Sequence, residues 1–367
     1  MNQLCNPPAV NRRTFIFSLL AHIASACAGP TSSGSARRER ELIEQTARLR
    51  DQIAVDLHSH PGSFAGSSLF PGASRELTAV LAEMKTARVD AGVFSLPTDR
   101  PVIRRSSGGT RQFREPSPGE LFRFAQSRLD RALSQMREMI ATSPDDVVRF
   151  KKKTAPCAIL ALEGADALEG QFSRVKLFYE RGIRVIQLLH YRINEVGDIM
   201  TEGTRYGGLT PFGHSVVNEM NRLGVIIDVA HAHPDTVRDV LAESRHPVLD
   251  SHTRPAARFK HRRARTDADL RAVAAKGGVI GMWPIARPRR SETFDDFLND
   301  LEYLKSVVGI DHIGIGTDLN GLGESTAVGT HKDFLLIPAG LLARGYSKTD
   351  VAKVIGANFM RLFREVT

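Results

Sequence analysis

Eight short, nearly continuous apolar runs punctuate this chain, and each is followed by a longer segment of helical periodicity. The runs cover residues 53–60, 89–96, 158–164, 184–190, 225–231, 248–252, 278–283 and 312–318. They are rich in β-branched residues and lack the polar alternation of a strand with one wet face, so they predict strands buried on both faces of a parallel sheet. Between them, Leu77, Val80, Leu81 and Met84 recur at helical spacing, as do Phe294, Phe297, Leu298 and Leu301. Pro234 falls in the first turn of another helix, where its missing N–H costs little. Strand–helix alternation repeated eight times predicts an α/β chain closed into a (β/α)8 TIM barrel. A doubly wound open sheet is the alternative, but the glycine-rich phosphate turn after the first strand is absent. The Arg/Gly/Pro-rich stretch 97–119 reads as a loop over the active-site face.

The polar residues of these runs gather at their C-terminal ends, the rim where barrel enzymes build their sites. The first run ends Asp56-Leu57-His58-Ser59-His60, the third Leu162-Glu163-Gly164 and the fourth Leu188-Leu189-His190. The fifth ends Asp228-Val229-Ala230-His231, the sixth Asp250-Ser251-His252 and the eighth Gly316-Thr317-Asp318. His58 and His60 are two apart on a strand, so both point to one face and can grip one metal. His231 and His252, from neighbouring strands, can grip a second, and Glu163 has two oxygens with which to bridge the pair. A water between two divalent ions is acidified and becomes a hydroxide nucleophile near neutral pH. Asp318 stands where a general base or proton shuttle is needed. Any one of these histidines alone is more often structural, but five metal-type ligands on four strand ends favour the metal. His214, His233, His246, His261 and His312 read as surface or capping residues. Asp56, Asp228 and Asp250 are either partners that orient ligand histidines or buried polar groups bonded to backbone.

Length and composition set the frame. The chain has 367 residues, and a net charge of +9 without any nucleic-acid motif reads as a solvated basic surface, not a nucleic-acid site. Asn11-Arg12-Arg13-Thr14-Phe15 precedes an apolar stretch over 15–28, which resembles a twin-arginine export signal and is short for a membrane span. Residues 1–28 are therefore expected to be a signal, 29–38 a linker and 39–367 one catalytic barrel, exported to the periplasm with no transmembrane span in the mature chain. Cys27 offers a second processing route, as a lipidated first residue. Of the three cysteines, Cys5 and Cys27 lie in this segment and Cys157 in an apolar run, so neither a disulfide framework nor a cysteine zinc site is available.

From about Val55 to Phe363 the sequence resembles the membrane (renal) dipeptidase family of zinc metallopeptidases, an amidohydrolase-like barrel. The resemblance is carried by Glu163-Gly164, by Leu189-His190 through Asn194 and Asp198, and by Gly208-Leu209-Thr210-Pro211-Phe212-Gly213. Asp228-Val229-Ala230-His231, Ser251-His252, Gly316-Thr317-Asp318 and Asn358-Phe359 complete it, in matching order and spacing. It implies two divalent ions, zinc first, with Glu163 as the bridging carboxylate, His231 and His252 on one ion and His58 on the other. His190 would contact the substrate carbonyl, Arg263 would bind the substrate carboxylate, and Asp318 would handle the proton. The expected substrate is a small dipeptide with a free C-terminal carboxylate, including one with a D-residue at that end; a homodimer also fits the resemblance. Several positions depart from the pattern. The family has His-x-Asp on the first strand where this chain has His58-Ser59-His60, making the site one unit more positive and favouring zinc over harder ions. Ala264 replaces an asparagine, Asn320 an aspartate, and Trp283-Pro284 an Asn-aromatic pair. A metal-dependent hydrolase of a lactam, lactone or N-acyl amino acid is the alternative. A non-catalytic metal-containing binding protein is a third reading, disfavoured because it would need neither Glu163 nor Asp318.

Overall fold

The computed structural model describes residues 44, 46, 49–62, 76–106, 109–285, 293–321 and 326–367. The segment read as an export signal and linker, with Cys5 and Cys27, lies outside them. Among the described residues ten strands form: β1 (Val55–Ser59), β2 (Ala91–Pro97), β3 (Ile103–Ser106), β4 (Gly109–Gln112), β5 (Cys157–Glu163), β6 (Ile183–Gln187), β7 (Ile226–Asp228), β8 (Leu249–Thr253), β9 (Val279–Met282) and β10 (Ile313–Ile315). Eight of these make one parallel sheet in the order β1-β2-β5-β6-β7-β8-β9-β10. Each predicted run overlaps one of its strands, which extends past the run by at most one residue, and the apolar side chains of both faces are buried. Cys157 is part of that interior.

The sheet curls until its first and last strands meet at the C-terminal rim. There the Asp318 N–H donates to the His58 carbonyl at 2.8 Å and the His60 N–H to the Leu319 carbonyl at 2.8 Å. Just below, the buried Asp56 carboxylate accepts from the Thr317 N–H at 2.9 Å and hydroxyl at 2.6 Å, and His331 Nε2 reaches it at 2.9 Å. Opposite, the Asp228 carboxylate accepts from the N–H groups of Ala230 and Ser251, both at 3.0 Å. Asp250 takes the Arg265 guanidinium at 2.8 Å. All three aspartates tie rim backbone or a buried arginine; none touches the outer nitrogen of a rim histidine. The interior is narrow: a Cβ on Gly281 or Gly316 would come within 1.8 Å of the Ser251 carbonyl, so only glycine lets these strands approach.

Helices cover the outside as the periodicity predicts. Leu77–Ala87 buries Leu77, Val80 and Met84, and Phe294–Val308 buries Phe297, Leu298, Leu301 and Leu304. Pro234 opens the helix Pro234–Glu243, with the His233 side chain accepting from the Asp235 N–H as its cap. Residues 97–119 are more than a loop. They hold a short 3-10 turn, Arg100–Val102, and the antiparallel hairpin β3–β4. That pairing escaped the sequence reading because its arginines and glycine carry no apolar alternation.

Candidate metal centre

Five imidazoles converge on one carboxylate. Glu163, at the end of β5, has Oε1 3.2 Å from His58 Nε2, 3.3 Å from His190 Nε2, 3.7 Å from His231 Nε2 and 3.9 Å from His252 Nε2. Its Oε2 lies 3.6 Å from His60 Nε2 and has no hydrogen-bond partner although fully buried. His60 Nε2 is also 3.1 Å from Asp318 Oδ1. The structure thus brings together His58, His60, Glu163, His190, His231, His252 and Asp318, which the sequence offered from six strand ends.

The other nitrogen of each ring is held from behind. His60 Nδ1 lies 3.0 Å from the Ser95 carbonyl and His231 Nδ1 3.0 Å from the His190 carbonyl. A carbonyl only accepts, so in both rings Nδ1 carries the hydrogen and the Nε2 lone pair faces the centre. His58 Nδ1 meets the hydroxyls of Ser95 and Ser251 at 3.2 and 3.3 Å, and His252 Nδ1 meets Ser251 Oγ at 2.9 Å. Two pairs of Nε2 atoms, His58–His60 and His231–His252, stand 3.2 Å apart. Donors about 2.0–2.1 Å from a tetrahedral zinc are separated by about 3.3 Å. Two such nitrogen pairs, beside an unpartnered carboxylate oxygen, form a donor set that fits a metal.

The electrostatics agree. Burial and the Arg263 charge among others hold His231 and His252 well below the ordinary imidazole range, so both are neutral. Burial opposes ionisation of Glu163, but His190, His60 and His58 overcome it and keep the carboxyl below its usual range. At His60 burial is likewise outweighed, here by Glu163 and Asp318, and its pKa rises to about 9, so without a cation this ring holds a proton on Nε2 that a bound metal would displace. Backbone strain collects here too: His231, Asp318 and Asn320 adopt φ of 67°, 53° and 67°, conformations that cost ~1–3 kcal/mol each and persist where the surroundings impose them. Asn320 tolerates that region as an aspartate would, so this departure keeps the turn.

Of the arginines near His252, the structure singles out one. Arg265 is bound by Asp250 and two carbonyls, Arg254 and Arg258 share Asp300, and Arg262 is exposed. Arg263 is buried, gives one bond of 3.2 Å to the His252 carbonyl, stacks 5.0 Å over Trp283, and has an Nε without a partner. His261, read as a surface or capping residue, is half-buried: its Nδ1 accepts the Arg263 N–H at 3.1 Å, its ring packs against Phe259 and Trp283, and burial lowers its pKa to about 4. Asn194 and Asp198 serve the loop after β6: Asn194 bonds the Leu188 carbonyl, and Asp198 accepts three N–H groups from residues 205–207.

Asp99 is the residue the sequence did not flag, because it lies in the stretch read as loop. Fully buried just after β2, it puts Oδ1 2.7 Å from His190 Nδ1 and accepts the Tyr191 N–H through Oδ2 at 3.0 Å. It therefore keeps the hydrogen of a neutral His190 on Nδ1, or holds a charged His190 in place. Asp99→Asn should lower kcat ~10–100-fold, the range for losing the outer partner of a site histidine, with metal content and KM little changed. Unaltered kcat would mean that packing alone holds His190.

Comparisons with known proteins bear on the family and the fold. The family model for membrane dipeptidase (peptidase family M19) matches residues 73–367. Dipeptidase tcpJ of Claviceps purpurea is 29% identical over 236 residues, 63% of this chain and 56% of that protein. The chain spans about half to three-fifths of the length of the curated relatives it matches. Among solved structures, the probable dipeptidase PvdM of Pseudomonas aeruginosa superposes with a TM-score of 0.74 at 20% identity, over 89% of this chain and 98% of that one. A metallopeptidase from Rhodobacter sphaeroides, liganded with a phosphinate mimic of the dipeptide L-Ala-D-Ala, gives 0.71 at 20% identity over 86% and 100%. These last two similarities establish the barrel fold.

Proposed function

The chain belongs to the membrane dipeptidase family of peptidases, and from that premise we propose that it is a zinc-dependent dipeptidase acting on dipeptides with a free C-terminal carboxylate. The observation that carries this reading is the pairing of a five-imidazole, one-carboxylate cluster with the buried, incompletely bonded guanidinium of Arg263. His58 and His60 would hold one ion, His231 and His252 the other, and Glu163 would bridge them. When bound, two divalent ions supply an acidified water and polarise the scissile carbonyl.

The chain's own residues do the rest. Arg263 takes the substrate carboxylate, fixing which end of the dipeptide lies over Glu163. His190, kept in its charged form against burial by Asp99 and Glu163, donates from Nε2 to the carbonyl oxygen as negative charge develops there. Asp318 accepts a proton from the attacking water and delivers it to the departing amine. The L-Ala-D-Ala mimic in the Rhodobacter relative supports a D-residue as one acceptable C-terminal partner. Residues 1–28 support export to the periplasm; among the described residues no helix is long and apolar enough to cross a membrane.

The test is a substrate panel with free and amidated C-termini. Arg263→Ala should cost ~2–4 kcal/mol in kcat/KM for free dipeptides and hardly alter amidated ones, already poor with the wild type. Equal losses on both would make Arg263 structural and favour hydrolysis of a lactam, lactone or N-acyl amino acid.

A further inference from the structure

A cavity of about 590 Å³ is lined by residues 110–115 together with Thr201, Glu202 and Arg262, well within the size of small-molecule sites. Its walls continue from residues that already touch the centre. The β3–β4 hairpin follows directly on Asp99, which holds His190, and contributes Arg111. Thr201 follows Met200, whose N–H bonds the His231 carbonyl at 2.8 Å. Arg262 precedes Arg263. Chain continuity at these three points ties the cavity to the segments that build the site.

Its polar groups are unevenly satisfied. Arg114 is paired with Glu120, and Glu115 lies 3.6 Å from Arg192. Arg111 and Arg262 reach no carboxylate among the described residues, although Glu202 shares the wall. The hydroxyl of Thr201, a residue only 8% exposed, has no hydrogen-bond partner. Two unpaired guanidinium groups and an orphaned buried hydroxyl in one recess form a receptor for an anion with acceptor oxygens.

We propose that this recess binds a second carboxylate of the substrate, so that the preferred dipeptides carry an acidic side chain besides the C-terminal carboxylate held by Arg263. The inference rests on the dipeptidase reading and narrows it. Arg111 and Arg262 clamp the side-chain carboxylate, and Thr201 donates its hydroxyl to it. One partly exposed contact of this kind should give a preference of roughly tenfold.

The experiment compares isosteric pairs on the metal-loaded protein: Ala-Glu with Ala-Gln, and Glu-Ala with Gln-Ala, each with an L- and a D-residue at the C-terminus. At least one glutamate substrate should exceed its glutamine isostere roughly tenfold in kcat/KM, and added salt should shrink the ratio. In the double variant Arg111→Gln/Arg262→Gln the ratio should fall to about one; being a ratio, it cancels any general change in folding or metal content. Equal rates within every pair, or a preference that survives the double variant, would overturn the proposal while leaving dipeptidase activity standing. Failure to hydrolyse any dipeptide would overturn the dipeptidase reading, and this inference with it.

Discussion

Stripping the metal with a chelator should abolish turnover, and protein prepared without chelator should contain two divalent ions per chain, chiefly zinc. The donors set the number. His231 and His252 face each other across 3.2 Å, His58 and His60 do the same, and Glu163 stands between with one oxygen unpartnered. One ion would satisfy one pair of ring nitrogens and leave the other buried pair without an ion. Elemental analysis of variants separates the pairs. His60→Ala should lose one ion, whereas Glu163→Ala, which removes the bridge, should lose both. His60→Asp restores the carboxylate usual in the family and should keep substantial activity. Because the ions bind only the folded chain, their removal should also lower Tm. A fully active sample with one ion per chain would end the two-metal assignment, and a fully metallated, fully active His60→Ala would make His60 a bystander.

The legible parts of this protein are those with strong periodicity or forced placement. Barrel strands buried on both faces must be apolar almost throughout, so a polar residue within them stands out, and its position at the C-terminal end is itself the signal. Glu163, His190, His231 and His252 were readable for that reason. Asp99 was not, because it lies two residues beyond Pro97, outside the apolar run, and its role depends on a fold-back that no spacing reveals. His331 was missed likewise: it starts a short turn far from β1 in sequence, yet its ring reaches Asp56 inside the barrel. The contact of the His261 ring with Trp283 was not readable because it depends on a non-local approach. The choice of Arg263 among five neighbouring arginines came from register alone, and the structure supplies a physical reason: Arg254, Arg258 and Arg265 are committed to carboxylates, and Arg262 is exposed where Arg263 is buried.

Asp318→Asn should lower kcat by ~10²–10⁴-fold, the range for losing a general acid–base group, or about 3–5 kcal/mol of barrier. The substitution isolates chemistry from shape. Asp318 has a φ of 53°, a left-handed conformation that asparagine adopts about as readily as aspartate, whereas alanine would add strain of its own. The amide also keeps a carbonyl oxygen for His60 Nε2, 3.1 Å away in the wild type. What it cannot do is accept a proton from water and pass it to an amine. Metal content, folding and KM should therefore stay near wild type while kcat falls. Because Asp318 is also close enough to His58 and His60 to join them around one ion, metal analysis of the variant decides between two roles. Two retained ions with a slow enzyme identify Asp318 as the proton carrier. Loss of one ion in proportion to activity would make it a ligand instead, and the proton would then have to travel through another group at the rim.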